Sequence, residues 1–356
     1  MGAHPGGVID LRSDVVAPPT EEMWEAMRSA RTGWALVGED PSVNELVELG
    51  ARLVGKEAAL FVPTCSMANL VALLTLGRPG EKVILESASH LATTERGGVE
   101  HVGRLIPRLV AGNRGVPALA VVAEALGESH GSELPRTSLL CLENTHNNAG
   151  GVAITPEQTA AVADFAHRHG VAVHLDGARL FNAAVALGRP ADRLAGSVDT
   201  VAISLNKGLS APEGALLCGS GAFVDRARRH AEHLGATSLH KAGLAAAAGL
   251  VALRTMVDRL ADDHRRAYAL ATHLSAVTGL RIDLTTVRTN IVLVDTRPGG
   301  LAADELVRRL ARQGILALAR SPEQVRFVTH RLIGDAEIER TSAAVSEILH
   351  VAGVSQ

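Results

Sequence analysis

The 356-residue chain reads as an α/β protein, a largely parallel central sheet covered by helices on both faces, followed by a smaller α+β domain. Two patterns predict this. Short apolar runs alternate with capped amphipathic segments as far as Arg254, which is the signature of strand–helix–strand units around a parallel sheet. Beyond Arg254 the segments lengthen into helices separated by three strand-like runs. An apolar fraction of 47% over this length supplies core for about two domains, placed at 1–254 (large, with an N-terminal arm at 1–17) and 255–356 (small).

The strand candidates are Ala58 to Val62, Lys82 to Leu85, Leu139 to Leu142, Val171 to Leu175, Thr200 to Ser204 and Ala215 to Cys218. Ser42-x-x-Glu45 forms a capping box ahead of the stripe Val43, Leu46, Val47, Leu53, Val54, and Gly55 ends that helix. Thr155-Pro156-Glu157-Gln158 is a second box with Pro at the first helical position, and Gly170 closes its helix. In the C-terminal region, helices are expected over Met256 to Val277, Ala302 to Arg312 and Asp335 to His350, with strands around Ile282, Ile291 and Val325. The cluster Thr296 to Gly300 is a loop within that domain.

Composition excludes several classes. A net charge of −3 offers no basic face for nucleic acid. Cys65, Cys141 and Cys218 are odd in number and widely spaced, which disfavours a disulfide framework or a cysteine-rich metal site and fits a reducing cytoplasm. The start has no apolar leader core, and the longest apolar run, Ala242 to Leu253, is too short to span a bilayer, so no membrane partner is expected. Rival motifs are poor: Gly219-Ser-Gly221 lacks a third Gly at the dinucleotide spacing, and neither a phosphate-binding P-loop nor an H-E-x-x-H zinc motif occurs; no bound metal is expected.

The chemistry concentrates in His174-Leu-Asp176-Gly-Ala-Arg179 and Ser204-Leu-Asn-Lys207-Gly. Asp176 and Lys207 each follow an apolar run, which puts them at the carboxyl ends of two strands, where open α/β sheets place ligands. An Asp that keeps a pyridinium nitrogen protonated, a Lys that forms a Schiff base and an Arg that clamps a carboxylate together suit pyridoxal phosphate. Taken singly, Asp176 also reads as a helix cap and Lys207 as an exposed turn residue. Phe61 to Leu70 has the form strand, turn, helix, so the N–H groups of Cys65 and Ser66 would face a phosphate. His90, a few residues beyond the run Lys82 to Leu85, could stack on a planar ring or move a proton. Arg326, in an alternating strand-like segment, offers a rigid fork for a carboxylate or, equally, a surface salt bridge.

Together these residues resemble the threonine aldolase family, the β-eliminating-lyase group of fold type I pyridoxal phosphate enzymes. The resemblance runs nearly the whole length, through Asp10 to Asp14, Gly38 to Asn44, Gly55 to Ala59, Pro63 to Asn69, Leu142 to Asn147, His174 to Asn182, Asn206 to Leu209 and Val325 to His330. It implies that Lys207 carries pyridoxal 5'-phosphate, Asp176 pairs with its ring nitrogen, His90 stacks on the ring, and Cys65 and Ser66 cup the phosphate. Ser13, Arg179 and Arg326 match positions that hold the amino-acid carboxylate. The implied reaction is retro-aldol cleavage of a β-hydroxy-α-amino acid such as threonine or allo-threonine to glycine and an aldehyde, in a homotetramer with active sites between subunits. The same scaffold also supports β-elimination or racemisation, and a non-catalytic relative is a third reading.

Departures from the family pattern cluster around the substrate. Val15 and Val37 replace a Thr and a Tyr, Cys65-Ser66 replaces Gly-Thr, Glu133 stands where a second pocket His is usual, with His130 three residues earlier, and Thr237 to Lys241 replaces a glycine-rich segment. His90 is the candidate base at the β-hydroxyl, with a water or Glu133 in reserve.

Overall fold

A computed structural model describes residues 7–127, 135–237 and 239–351. The chain divides into two compact units, one of Pro19–Ala149 with Ala153–Val257, the other of Met1–Pro18, Gly150–Val152 and Asp258–Gln356.

The larger unit is built on a seven-stranded sheet of β1 (Ala58–Val62), β2 (Lys82–Glu86), β3 (Ile106–Val110), β4 (Thr137–Glu143), β5 (Ala172–Gly177), β6 (Thr200–Ser204) and β7 (Ala215–Gly219), in the order β1-β7-β6-β5-β4-β2-β3. Only β7 runs antiparallel to its neighbours; the other six share one direction, so their carboxyl ends form a common edge. β3 falls in a run whose mixed Ile-Pro-Arg-Leu-Val composition gives no apolar signal, and it was not among the expected strands.

Alternation along β7 shows how the sheet is covered. Ala215 and Leu217 pack with Ala68, Val71 and Phe223 under the helices α2 (Cys65–Leu76) and α5 (Gly221–His233). Leu216 points the other way, against α1 (Pro41–Leu53), where a Cβ on Gly50 would lie 2.1 Å from Leu216 Cδ1. Two further helices, α3 (Pro156–Arg168) and α4 (Leu180–Leu187), flank β5 in the chain. The Thr155–Gln158 capping box is formed in both directions, and Gly170 takes the left-handed φ of +70° that lets α3 turn into β5.

The expected Ser42–Glu45 box is not the start of α1. Asp40 caps it, accepting the Val43 N–H at 3.0 Å with Pro41 at the first helical position, while the Ser42 hydroxyl donates to the Arg31 carbonyl. A proline tolerated only in the first turn moves the start two residues upstream.

In the second unit a three-stranded antiparallel sheet, ordered β8 (Ile291–Asp295), β10 (Gln324–Val328), β9 (Leu318–Ser321), packs with α6 (Leu260–Ser275), α7 (Ala303–Arg312) and α8 (Asp335–Val351) around Leu11, Leu270, Leu306 and Phe327. The strand expected around Ile282 is absent among the described residues: Arg281 makes a single bridge to Asp295, and the chain then turns as Asp283 accepts from the N–H and hydroxyl of Thr285. The N-terminal arm, which the sequence reading placed in the large domain, belongs to this unit, because Ile9–Asp10 pairs in parallel with Ile315–Leu316.

Candidate active site

Six of the sequence-predicted site residues (Cys65, Ser66, His90, Asp176, Arg179, Lys207) lie in the larger unit, and the others (Ser13, Arg326) in the smaller. Asp176 is the penultimate residue of β5, registered opposite Ala202 of the adjacent β6, and Lys207 follows β6 by three residues. Both therefore stand at the common carboxyl edge. The Lys207 loop is pinned at several points: Ser210 N–H donates to the Lys207 carbonyl, Ala211 N–H to Leu205, and Gly214 N–H to Pro63. Ser210 holds a left-handed φ of +62°, which strains a residue with a Cβ.

Asp176 is buried and its carboxylate is surrounded by donors. Oδ1 accepts the Ala178 N–H at 3.1 Å and the Cys65 thiol at 3.9 Å, and Oδ2 accepts Asn69 Nδ2 at 3.0 Å. Burial pushes its proton affinity up, as do the neighbouring carboxylates Glu143 and Glu95, while the charges of Lys207 and His90 oppose them. It does not cap α4, whose N-terminal cap position is Arg179 and has no side-chain cap bond. The Cys65 thiol is itself pushed well up by burial and by Asp176, so it is a neutral S–H donor.

Thr64 caps α2 by accepting the Met67 N–H at 3.1 Å. The N–H groups of Cys65 and Ser66 precede the intrahelical ladder and carry the positive end of a twelve-residue helix. The Ser66 hydroxyl is engaged elsewhere, donating to Glu95 Oε1 at 2.7 Å.

Glu95 was not foreseen as a site residue. It accepts from His90 Nδ1 at 2.8 Å and from Asn69 Nδ2 at 3.3 Å, and these bonds outweigh burial, which alone would raise it, to hold the carboxyl below its usual range. In return, His90 is raised, first by the Glu95 hydrogen bond, against burial. Glu143, at the end of β4, accepts the His90 N–H at 2.6 Å and the Asn147 N–H at 2.8 Å, and Asn147 Oδ1 accepts from Arg179 Nη1 at 3.3 Å. A carboxylate closing a strand was the available signal for Glu143; no spacing marks Glu95. His90, Glu95 and Asp176 bring one donor atom each within 4.8 Å of one another.

In the smaller unit Arg326 lies on β10, largely buried, and its Nη2 donates to the Arg12 carbonyl at 3.1 Å, next to Ser13. Ser13 Oγ caps the turn Asp14–Val16 through the Val15 N–H at 3.4 Å. Glu133 and His130 lie outside the described residues, as does Ser238 of the Thr237–Lys241 segment.

The parallel sheet with a buried Asp and a Lys at its carboxyl edge is fold type I of the pyridoxal phosphate-dependent enzymes. A threonine aldolase from Leishmania major superposes with a TM-score of 0.82 at 20% identity, over 96% of this chain and 99% of that one. Sequence defines the relationship more narrowly. The chain belongs to the beta-eliminating lyase family, whose model matches residues 10–297. It is 37% identical over 345 residues to low-specificity L-threonine aldolase 1 of Arabidopsis thaliana, 96% of each chain, and 37% identical over 337 residues to the low specificity L-threonine aldolase of Escherichia coli K12, covering 94% of this chain and 98% of that one.

Proposed function

We propose that the protein is a pyridoxal phosphate-dependent aldehyde-lyase that splits a β-hydroxy-α-amino acid of the threonine or allo-threonine type into glycine and an aldehyde. The observation that carries the reading is the meeting of Asp176, Lys207 and the α2 amino terminus at one sheet edge, in a chain 37% identical to threonine aldolases over nearly its full length.

The residues present fit the cofactor. The leading N–H groups of α2 suit a phosphate, the buried Asp176 carboxylate suits a protonated ring nitrogen, and Lys207 is the amine for the aldehyde. When bound, pyridoxal phosphate supplies an electron sink for the pair released at Cα. Asp176, fixed by three donors, keeps that sink electron-poor. With Nδ1 turned to Glu95, His90 has Nε2 left to take the β-hydroxyl proton as the Cα–Cβ bond breaks and the aldehyde carbonyl forms. A proton returned to Cα completes glycine. By the resemblance Ser13, Arg179 and Arg326 are each candidates for the substrate carboxylate, and a grip on that group would select the bond that breaks.

The same reading makes the protein a cytoplasmic homotetramer with active sites between subunits. Among the described residues no helix is long and apolar enough to cross a membrane.

The test is to supply the cofactor-loaded protein with threonine, allo-threonine and phenylserine, trap aldehyde and quantify glycine. Equimolar glycine and aldehyde are expected. Racemised substrate, or a keto acid with ammonia, would move the assignment to the other chemistries of this scaffold.

A further inference from the structure

Asp176 does not stand alone at the sheet edge. Asn69, fully buried on α2, donates from Nδ2 to Asp176 Oδ2 at 3.0 Å and more weakly to Glu95, and its Oδ1 faces His174 Nε2 at 3.1 Å. His174, two residues before Asp176 on β5 and also fully buried, has its Nδ1 2.8 Å from the Thr200 hydroxyl on β6. Asn69, His174, Thr200 and Asp176 are each three per cent exposed or less.

Acceptor chemistry permits one arrangement of protons. Two carboxylates can only accept, so Asn69 must turn its NH2 toward them and its carbonyl toward His174. His174 must then carry its proton on Nε2, and Nδ1 accepts from Thr200. Burial lowers His174 to about 4, against the pull of Asp176 and Glu95, so the imidazole stays neutral and the chain orients groups without carrying charge.

We infer that Asn69 is a positioning residue for Asp176, itself held by neutral His174 and by Thr200, and that this chain aims the Asp176 carboxylate at the cofactor's ring nitrogen. The inference rests on the reading of Asp176 as the ring-nitrogen partner. A carboxylate pressed by Glu143 and Glu95 and already desolvated needs a donor to stay anionic, and Asn69 supplies the one made to Oδ2. His174 and Thr200 stop the amide from flipping, which would set Asn69 Oδ1 against two carboxylates.

The experiment compares Asn69→Ala, His174→Leu, His174→Gln, Thr200→Val and Asp176→Asn, each loaded with isotope-labelled pyridoxal phosphate. Three quantities are read: the NMR shift of the ring nitrogen, the rate of cofactor release and the thermal midpoint of the apoprotein. Asn69→Ala and His174→Leu are expected to move the ring nitrogen toward its unprotonated shift and to speed cofactor release about ten- to a hundredfold, on the order of one lost charge-assisted hydrogen bond. His174→Gln, which can still donate an N–H to Asn69, is expected to recover most of the wild-type shift. If Asp176→Asn displaces the ring-nitrogen signal while Asn69→Ala and His174→Leu leave it and the release rate unchanged, the positioning role is overturned and the reading of Asp176 stands. If Asp176→Asn leaves the signal unchanged, that reading fails and the inference fails with it. Should Asn69→Ala not fold, Thr200→Val at the far end of the chain decides by the same signal.

Discussion

His90 Nδ1 lies 2.8 Å from Glu95 Oε1, and the contact acts on both groups: the imidazole is raised by the hydrogen bond, and the carboxyl, which burial alone would raise, is brought below its usual range by His90 together with Ser66 and Asn69. The signs define a window. A lowered carboxyl contributes stability above its ordinary range and loses it as pH falls through its folded value; a raised imidazole contributes below its ordinary value and loses it as pH rises through its folded one. The pair therefore stabilises the fold from Glu95's lowered value up to His90's raised one. Glu95→Gln should lower the His90 titration seen by imidazole NMR and flatten the dependence of the thermal midpoint on pH in that window. An unmoved His90 titration refutes the coupling.

Lys207 should be the only point of covalent cofactor attachment. Borohydride treatment of the loaded protein should fix the cofactor to Lys207, with peptide mapping as the readout, and Lys207→Ala should lose both the fixed label and the visible absorbance. A label on another lysine, or activity intact in Lys207→Ala, sinks the assignment.

For Arg179 and Arg326, loss of a charge-assisted hydrogen bond to the substrate carboxylate costs about 1.5–3 kcal/mol, or roughly ten- to a hundredfold in amino-acid affinity. Arg179→Lys is the milder test there, because Arg179 is buried and Ala would leave Asn147 Oδ1 without the guanidinium. Arg326→Ala should weaken binding of the amino acid, followed by its spectral shift, and leave cofactor attachment untouched. Unchanged affinity in both variants places the carboxylate elsewhere.

Asp40 belongs to a family-like segment, yet its work is structural. Its carboxylate accepts three backbone N–H groups, from Val43 on Oδ1 and from Gly33 and Gly243 on Oδ2, tying together segments some 200 residues apart. Asp40→Ala orphans all three, and about 3–5 kcal/mol of stability should be lost. Denaturant unfolding of the apoprotein measures it; a loss under about 1 kcal/mol would mean water replaces the carboxylate.

The strand-end residues were legible because an apolar run that leads into Asp176-Gly, or stops three residues short of Lys207-Gly, leaves few places for that side chain to go. Asp176 and Lys207 fall at the edge for that reason. Glu95 was not legible, since it reaches the site from beyond a four-residue helix whose spacing repeats nothing. Asn69 lies inside the family-like segment Pro63 to Asn69, but its partner His174 is over a hundred residues away, and only packing reveals the bond. The pairing of Ile9 with Ile315 is hidden for the same reason, whereas the start of α1 is decided locally: Pro41 at the first helical position places the cap on Asp40, two residues before Ser42.

The substrate side chain yields the boldest expectation. The family resemblance places a Tyr where Val37 stands, and the turn Ala35–Val37 leaves that valine half exposed, at 52%. Without a phenol there, and with Glu133 where a pocket His is usual, a small β-hydroxyl substrate has fewer hydrogen-bonding partners and a larger apolar substituent has more surface to meet. Loss of one hydrogen bond near the reacting hydroxyl costs about 1–3 kcal/mol, which is one to two powers of ten in rate. The specificity constant for phenylserine should therefore exceed that for threonine, and Val37→Tyr should narrow the gap by raising the threonine value. Parallel kcat/KM measurements on threonine, allo-threonine and phenylserine decide it. Preferred cleavage of threonine by the wild type, unchanged in Val37→Tyr, would show that Val37 is neutral and that another group serves the hydroxyl.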